Sequence, residues 1–150
     1  MIDELALFPL TLRNALTAAG PKLRIRASDG RFAMVEHLCH LADLESEGFG
    51  ARIDKLLHEE RPEWDEFDGE KIAMERNYLV QDADEALQRF VDARAANVAR
   101  LRAAAGGDWE RRGTHRGMGE VSLRQLAQAM VEHDRAHAND IEILLKELGS

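Results

Sequence analysis

The chain has 150 residues, enough to bury one hydrophobic core, and only 5% of them are aromatic while Ala, Leu, Glu and Arg dominate, which favours helix over sheet. The formal charge of −8 argues against a general nucleic-acid binder, which normally shows a basic surface or stripe. No apolar run reaches the roughly 20 residues needed to span a bilayer, so no membrane segment is expected.

The opening stretch MIDELALFPL begins with acidic residues and has no basic segment ahead of an apolar one, so it does not read as a secretory signal. One cysteine, Cys39, permits no internal disulfide and suits a reducing compartment. A cytoplasmic protein is expected. On a helix rich in Leu and Ala, Cys39 reads as a buried, inert thiol rather than a nucleophile.

Periodicity predicts four helices in one domain spanning residues 1–150. The first covers about residues 10–19, with an earlier start left open, and stops at Gly20-Pro21. The second is long, about residues 31–60, because Met34, Leu38, Leu41, Phe49, Ile53 and Leu56 recur at three- and four-residue steps. Gly48 and Gly50 weaken its middle and mark either a bend or a close helix contact. Arg61-Pro62 ends it. The segment EWDEFDGEKI reads as a connection. A third helix is expected over about residues 73–105, with Tyr78, Leu87, Phe90, Val91, Val98 and Leu101 on its apolar side and Gly106-Gly107 closing it. A polar loop, DWERRGTHRGMGEV, leads to Ser122 and Gln125, a capping box that opens a fourth helix running to about residue 148. The expected architecture is all-α, an antiparallel four-helix bundle, with the helix order not settled by loop lengths.

The fourth helix carries an anomaly. Its buried stripe runs Leu123, Leu126, Met130, His133, His137, Ile141, Leu144, Leu148, and two titratable rings stand where leucine is expected. Residues four apart share a helix face, so both imidazoles point toward the interior. Unpaired buried polar groups cost roughly 1–3 kcal/mol each. A divalent cation removes that cost, because each neutral imidazole donates a lone pair and the H-x-x-x-H spacing supplies two ligands from one face. The blander reading is a pair of core histidines bonded to carboxylates or water. A third ligand must come from another helix, and VEHLCHLADLE offers His37 and His40. On the helical wheel His37 lies nearer the centre of the apolar face and His40 at its margin. His58 sits among charges near a helix end, and His115 in an Arg-rich loop; neither is a strong ligand candidate. The H-E-x-x-H glutamate of zinc proteases is absent, with Asp134 in its place.

Two stretches carry a family resemblance. FAMVEHLCHLADLE is similar to the second-helix pattern of the DinB-like superfamily (the DinB/YfiT-like metalloenzymes): an aromatic, a Glu four residues before His-Leu, then an acidic residue. GTHRGMGEVSLRQLAQAMVEHDRAHANDIEILLKEL resembles its G-x-H…G-x-[VT]-x-L…H-D-x-x-H…I ending. The resemblance spans the chain in helix order, with Phe32 where the family often has Trp. It implies a four-helix bundle holding a divalent metal (Zn, Ni or Fe) on three histidines. Transferred by motif, these are His40, His133 and His137, which conflicts with the wheel's preference for His37.

Three histidines with one open position would activate water, as in a hydrolase, or the thiol of a low-molecular-weight cofactor, as in an S-transferase or isomerase acting on a small-molecule substrate. The resemblance also implies a homodimer. Glu36 and Glu45 are candidates to hold a ligand imidazole in its tautomer, and Asp134 to act as an acceptor across a helix interface. Arg111, Arg112 and Arg116 make a basic run that either meets an anionic ligand or is simply solvated, and Trp109 is expected to pack its loop. The alternatives to an enzyme are a non-catalytic, metal-stabilised bundle with a stress-response or partner-binding role, and a helical module whose histidines are incidental.

Overall fold

The computed structural model describes residues 1–149. Four long helices make the body: α1 (Ile2–Ala19), a second helix built from α2 (Met34–Asp43) and α3 (Ala51–His58), α5 (Ala83–Ala103) and α6 (Leu123–Leu148). The short α4 (Gly69–Glu75) lies between α3 and α5. α1 starts well before the expected position, with Pro9 inside it. Burial of Leu5 and Phe8 draws its first turns onto the bundle and outweighs the ladder bond that Pro9 removes.

α2 and α3 are joined without a break by a π-helical stretch, Leu44–Gly50. Both readings of the two glycines therefore have substance. A Cβ on Gly50 would stand 2.8 Å from the Glu45 carbonyl oxygen and 3.2 Å from Asn97 Oδ1 on α5. The wide turn and the close helix approach both need glycine there.

The expected third helix is divided. After α4 the chain turns at Asn77, with φ of 49°, passes through a short 3₁₀ turn (Tyr78–Val80), and restarts at α5 under an Asp82 cap that accepts the Glu85 amide. Tyr78 lies in that turn rather than along a helix. It is buried and donates its hydroxyl to Asp43 on α2, which holds the break in place.

A small sheet went unanticipated. β1 (Glu63–Trp64) pairs in parallel with β2 (Arg112–His115), which pairs antiparallel with β3 (Gly119–Ser122). Gly117 and Gly119 adopt positive φ in the hairpin turn. Gly113 lets the Trp64 ring lie against the strand, since a Cβ there would be 2.4 Å from it. Ser122 ends β3 and caps α6 reciprocally with Gln125, as the capping box predicts.

Two apolar clusters fill the bundle. One gathers Leu12, Met34, Leu38, Phe90 and Ile141; the other gathers Leu5, Phe49, Ile53, Leu101 and Met130. α1 and α6 run from the second cluster to the first, whereas α2–α3 and α5 run from the first to the second. α2 packs beside α5, α5 beside α1 and α1 beside α6, so two neighbouring pairs, α2/α5 and α1/α6, are parallel. A simple antiparallel bundle was expected, and the difference has a physical source. The connections after Ala19 and Ala103 cross an end of the bundle, and the one after His58, which includes α4, runs back along its length, so α5 starts parallel to α2.

Between the clusters lies a polar layer. Arg94, with 2% of its surface exposed, spans Glu45 and Asp134 through four hydrogen bonds of 2.7–2.9 Å and donates another to the Leu5 carbonyl. Asn97 adds two more to Glu45. Every long helix contributes to this layer. α6 closes onto α2 more loosely than the other neighbours meet, and that seam holds the histidines.

Candidate metal centre

α2 and α6 pass each other at the polar layer, and their histidines interleave. His40, His133 and His137 each present a ring nitrogen, and these atoms all lie within 4.8 Å of one another. The ring centroids are 4.4 Å apart for His133 and His137, 5.1 Å for His40 and His137, and 5.8 Å for His40 and His133. All three rings are half-buried. The surrounding walls are aromatic: Phe32 stands 5.7 Å from His40, Phe67 6.3 Å from His40, and Phe49 5.6 Å from His133. His40 also abuts the start of α4, where a Cβ on Gly69 would be 2.7 Å from its ring.

The rings are held neutral. Burial pushes His133 down to about 4, helped by repulsion from His40 and Arg94. Burial pushes His137 to about 2, with repulsion from His133, His37 and His40 adding to it. His40 is also lowered by burial, against a small opposing pull from Asp43. Lone pairs rather than charges therefore face one another. His40 Nδ1 is buried without a hydrogen-bond partner in the described residues, a costly arrangement for a polar atom. Three neutral imidazoles at this spacing match the donor chemistry of a borderline divalent cation.

His37 is placed one turn away and is the most buried of the ring set, 3% exposed. It lies outside the group of three, but its Nδ1 is 3.0 Å from Nδ1 of His137. Its ring stands edge-on to His137 at 5.2 Å and to Phe32 at 5.6 Å. The wheel therefore ranked depth correctly, while the motif identified which ring joins the cluster.

A cavity of about 460 Å³ opens over the cluster, lined by His37, His40, His137, Phe32, Arg31 and Gly69 among others. Asp29, Glu70 and Asp140 complete its polar rim. Arg31 is bound there by Asp29 at 2.6 Å and Asp140 at 3.0 Å. Arg31 stands at the start of the expected second helix, before its first apolar repeat at Met34, and no local pattern marks it as part of a site. The basic run Arg111, Arg112 and Arg116 does not line this cavity. Arg111 reaches the carbonyls of Leu56 and Glu59, and Arg116 pairs with Asp65 and Glu63.

The carboxylates expected to orient a ring have other partners. Glu36 is held by Arg26 at 2.8 and 2.9 Å and accepts the Ala33 amide, capping α2. Glu45 belongs to Arg94 and Asn97. Asp134 is an acceptor across a helix interface, with Arg94 as its partner. Burial holds its carboxyl above the usual carboxylate value despite that guanidinium. His115 lies on β2 beside Trp64 and 3.2 Å from Glu66, and His58 is exposed against Asp54. Cys39 is buried, and burial pushes its thiol up to about 11, which leaves it inert at neutral pH. Trp109 packs at the margin of the second apolar cluster, under Arg124.

The second and last long helices thus meet through three histidines whose ring nitrogens could hold a metal ion, beside an open cavity. Residues 11–141 match the DinB superfamily, and the chain belongs to that family. Among solved structures it is similar to YfiT from Bacillus subtilis, described as a probable metal-dependent hydrolase with an unusual four-helix bundle topology. The two are 21% identical, with a TM-score of 0.90 over 99% of this chain and 85% of the other. No curated protein matches the chain. No helix among the described residues is long and apolar enough to cross a membrane.

Proposed function

We propose that His40, His133 and His137 hold a divalent metal ion and that the protein is a metal-dependent hydrolase acting on a small-molecule substrate. The observation that carries this reading is the convergence of three ring nitrogens within 4.8 Å of one another, with His40 and His137 lining an open cavity. A structural zinc site closes its coordination with four protein ligands, whereas a catalytic one keeps a position open. Among the described residues the group contains three members. The description of YfiT as a probable metal-dependent hydrolase supports the same chemistry.

A divalent ion held by His40, His133 and His137 would supply Lewis acidity enough to bring a water or thiol toward ionisation at neutral pH. The chain's own residues supply the rest. Phe32, Phe49 and Phe67 shield the rings from bulk water, which strengthens electrostatic interactions at the centre. Arg31, fixed by two carboxylates, presents an oriented guanidinium on the cavity wall beside Phe32. Thiol activation for S-transfer is the alternative chemistry at the same three residues, and a non-catalytic metal-stabilised bundle is the alternative role.

The experiment is elemental analysis of untagged protein, followed by assays of the loaded form on ester and amide panels and on electrophiles with low-molecular-weight thiols. About one equivalent of metal is expected in the native protein. His133→Ala should lose it while keeping its helicity. Full metal content in that variant would refute the ligand assignment. Turnover only in the presence of a thiol would replace hydrolysis by S-transfer, and none on any panel would favour the scaffold.

A further inference from the structure

His37 is a buried imidazole that the three-histidine group does not use. Its Nδ1 lies 3.0 Å from Nδ1 of His137, a hydrogen-bonding distance. Two nitrogens can share such a bond only if one carries the proton and the other a lone pair. That requirement couples the tautomers of the two rings. If His37 donated, His137 would accept at Nδ1 and would carry its own proton on Nε2, where no metal could bind. If His137 donates, its Nε2 keeps a lone pair. Only the second arrangement leaves His137 a competent ligand.

We infer that His37 is a positioning residue that accepts the His137 Nδ1–H, fixing that ring's tautomer and orientation so that Nε2 is free to bind a metal. Metal-bound histidines generally need such a partner on the second nitrogen, most often a carboxylate or a backbone carbonyl. In this chain Glu36 is engaged by Arg26, Glu45 and Asp134 by Arg94, and Asp29 and Asp140 by Arg31, and the atom within hydrogen-bonding distance of His137 Nδ1 is on an imidazole one turn before His40. The placement has a local cause. α2 and α6 pass so that His37 meets His137 while His40 meets both His133 and His137. Phe32 packs edge-on against His37 and limits its rotation.

The inference rests on the proposed metal site for its purpose, but its first test needs no metal. Protein labelled with ¹⁵N-histidine reports each ring's tautomer in long-range ¹H–¹⁵N spectra. In the metal-free wild type, His137 should appear protonated at Nδ1 and bare at Nε2; the reverse assignment overturns the inference. The second test measures Zn²⁺ affinity by chelator competition in two variants whose helicity is checked by circular dichroism. His37→Leu removes the acceptor and should weaken zinc binding roughly 10–100-fold. His37→Asn returns an acceptor oxygen near the position of Nδ1 and should restore most of that loss. Weakening of less than tenfold in the Leu variant, or an Asn variant no tighter than Leu, overturns the inference. Absence of zinc binding in the wild type would refute the metal site itself, and the tautomer measurement would then decide the role of His37 alone.

Discussion

Replacing Arg94 by methionine should be among the most damaging single changes outside the histidine cluster. The guanidinium is 2% exposed and holds two buried carboxylates, Glu45 and Asp134, with hydrogen bonds of 2.7–2.9 Å. Methionine fills most of the stem's volume, so packing changes little; what is lost is the charge that compensates the two acids. Removing one partner of a buried ion pair costs about 3–5 kcal/mol, a large share of the roughly 5–15 kcal/mol that stabilises a typical domain. For a chain of this size the melting temperature should fall by roughly 6–20 °C. The pH dependence separates this mechanism from a simple packing defect. Burial already raises the Asp134 pKa above its ordinary value, so this group's contribution to stability falls as pH rises through the folded pKa. Without Arg94 the attraction favouring the ionised form disappears and the folded pKa rises further. The deficit of the variant relative to wild type should therefore be greatest at pH 7 and smaller at pH 5.5. Urea unfolding followed by far-ultraviolet circular dichroism at both values measures it. A loss below about 1 kcal/mol at pH 7, or a deficit that grows in acid, would refute the reasoning.

The remaining predictions concern the histidine cluster. Gly69→Ala places a Cβ 2.7 Å from the His40 ring, so the ring or α4 must move; zinc affinity should fall at least tenfold with helicity unchanged, and an unchanged affinity in the chelator assay would show that the α4 contact is slack. Because His133 and His137 are depressed to about 4 and about 2, zinc affinity of the folded protein should stay within about twofold between pH 7.5 and 6, where ordinary histidines near pKa 6.5 begin to protonate. A tenfold drop over that interval would mean that the rings titrate near their ordinary value. The same depression destabilises the metal-free protein in acid: the unfolded chain binds these protons below about pH 6.5 and the folded one does not. Its melting temperature should thus fall from pH 6.5 toward pH 5, and a flat profile would contradict the neutral, buried rings.

The helices and the histidine pair were legible because each rests on a local rule. The alternation of Leu123, Leu126, Met130, Ile141 and Leu144 identifies the buried face of α6, and those residues are buried. Ser122 and Gln125 mark its start and form the reciprocal cap. What the pattern could not carry depended on partners distant in sequence. The break at Asn77 is held by Tyr78 reaching Asp43, 35 residues away. The sheet joins two-residue β1 to a hairpin some 50 positions later, too short a strand for any periodicity to register. Its traces were the Gly117 and Gly119 turn and the alternation of Thr114, Val121 and their neighbours. The parallel pairing of α1 with α6 and of α2 with α5 likewise follows from crossings that sequence spacing allows but does not specify.

His37 and His40 show that depth on a helical wheel and membership of the cluster are separate properties. A wheel drawn through the second helix averages α2 with α3, although the π-helical stretch between them carries one extra residue per turn and rotates one half against the other. Within α2 the wheel still ranks burial correctly, since His37 is deeper than His40. Both His37 and His40 line the cavity, but it is His40, not His37, whose ring nitrogen lies within 4.8 Å of those of His133 and His137. Four residues after His40 the helix enters its π-helical stretch, in which Glu45 meets Arg94. The helix can then present one ring to the cluster and, five residues later, anchor itself in the buried polar layer. A helix without Gly50 could not make that turn, because a Cβ there would stand 2.8 Å from the Glu45 carbonyl that closes it. The turn that carries Glu45 into the polar layer thus depends on a glycine ten residues from His40, through backbone rather than side-chain contact.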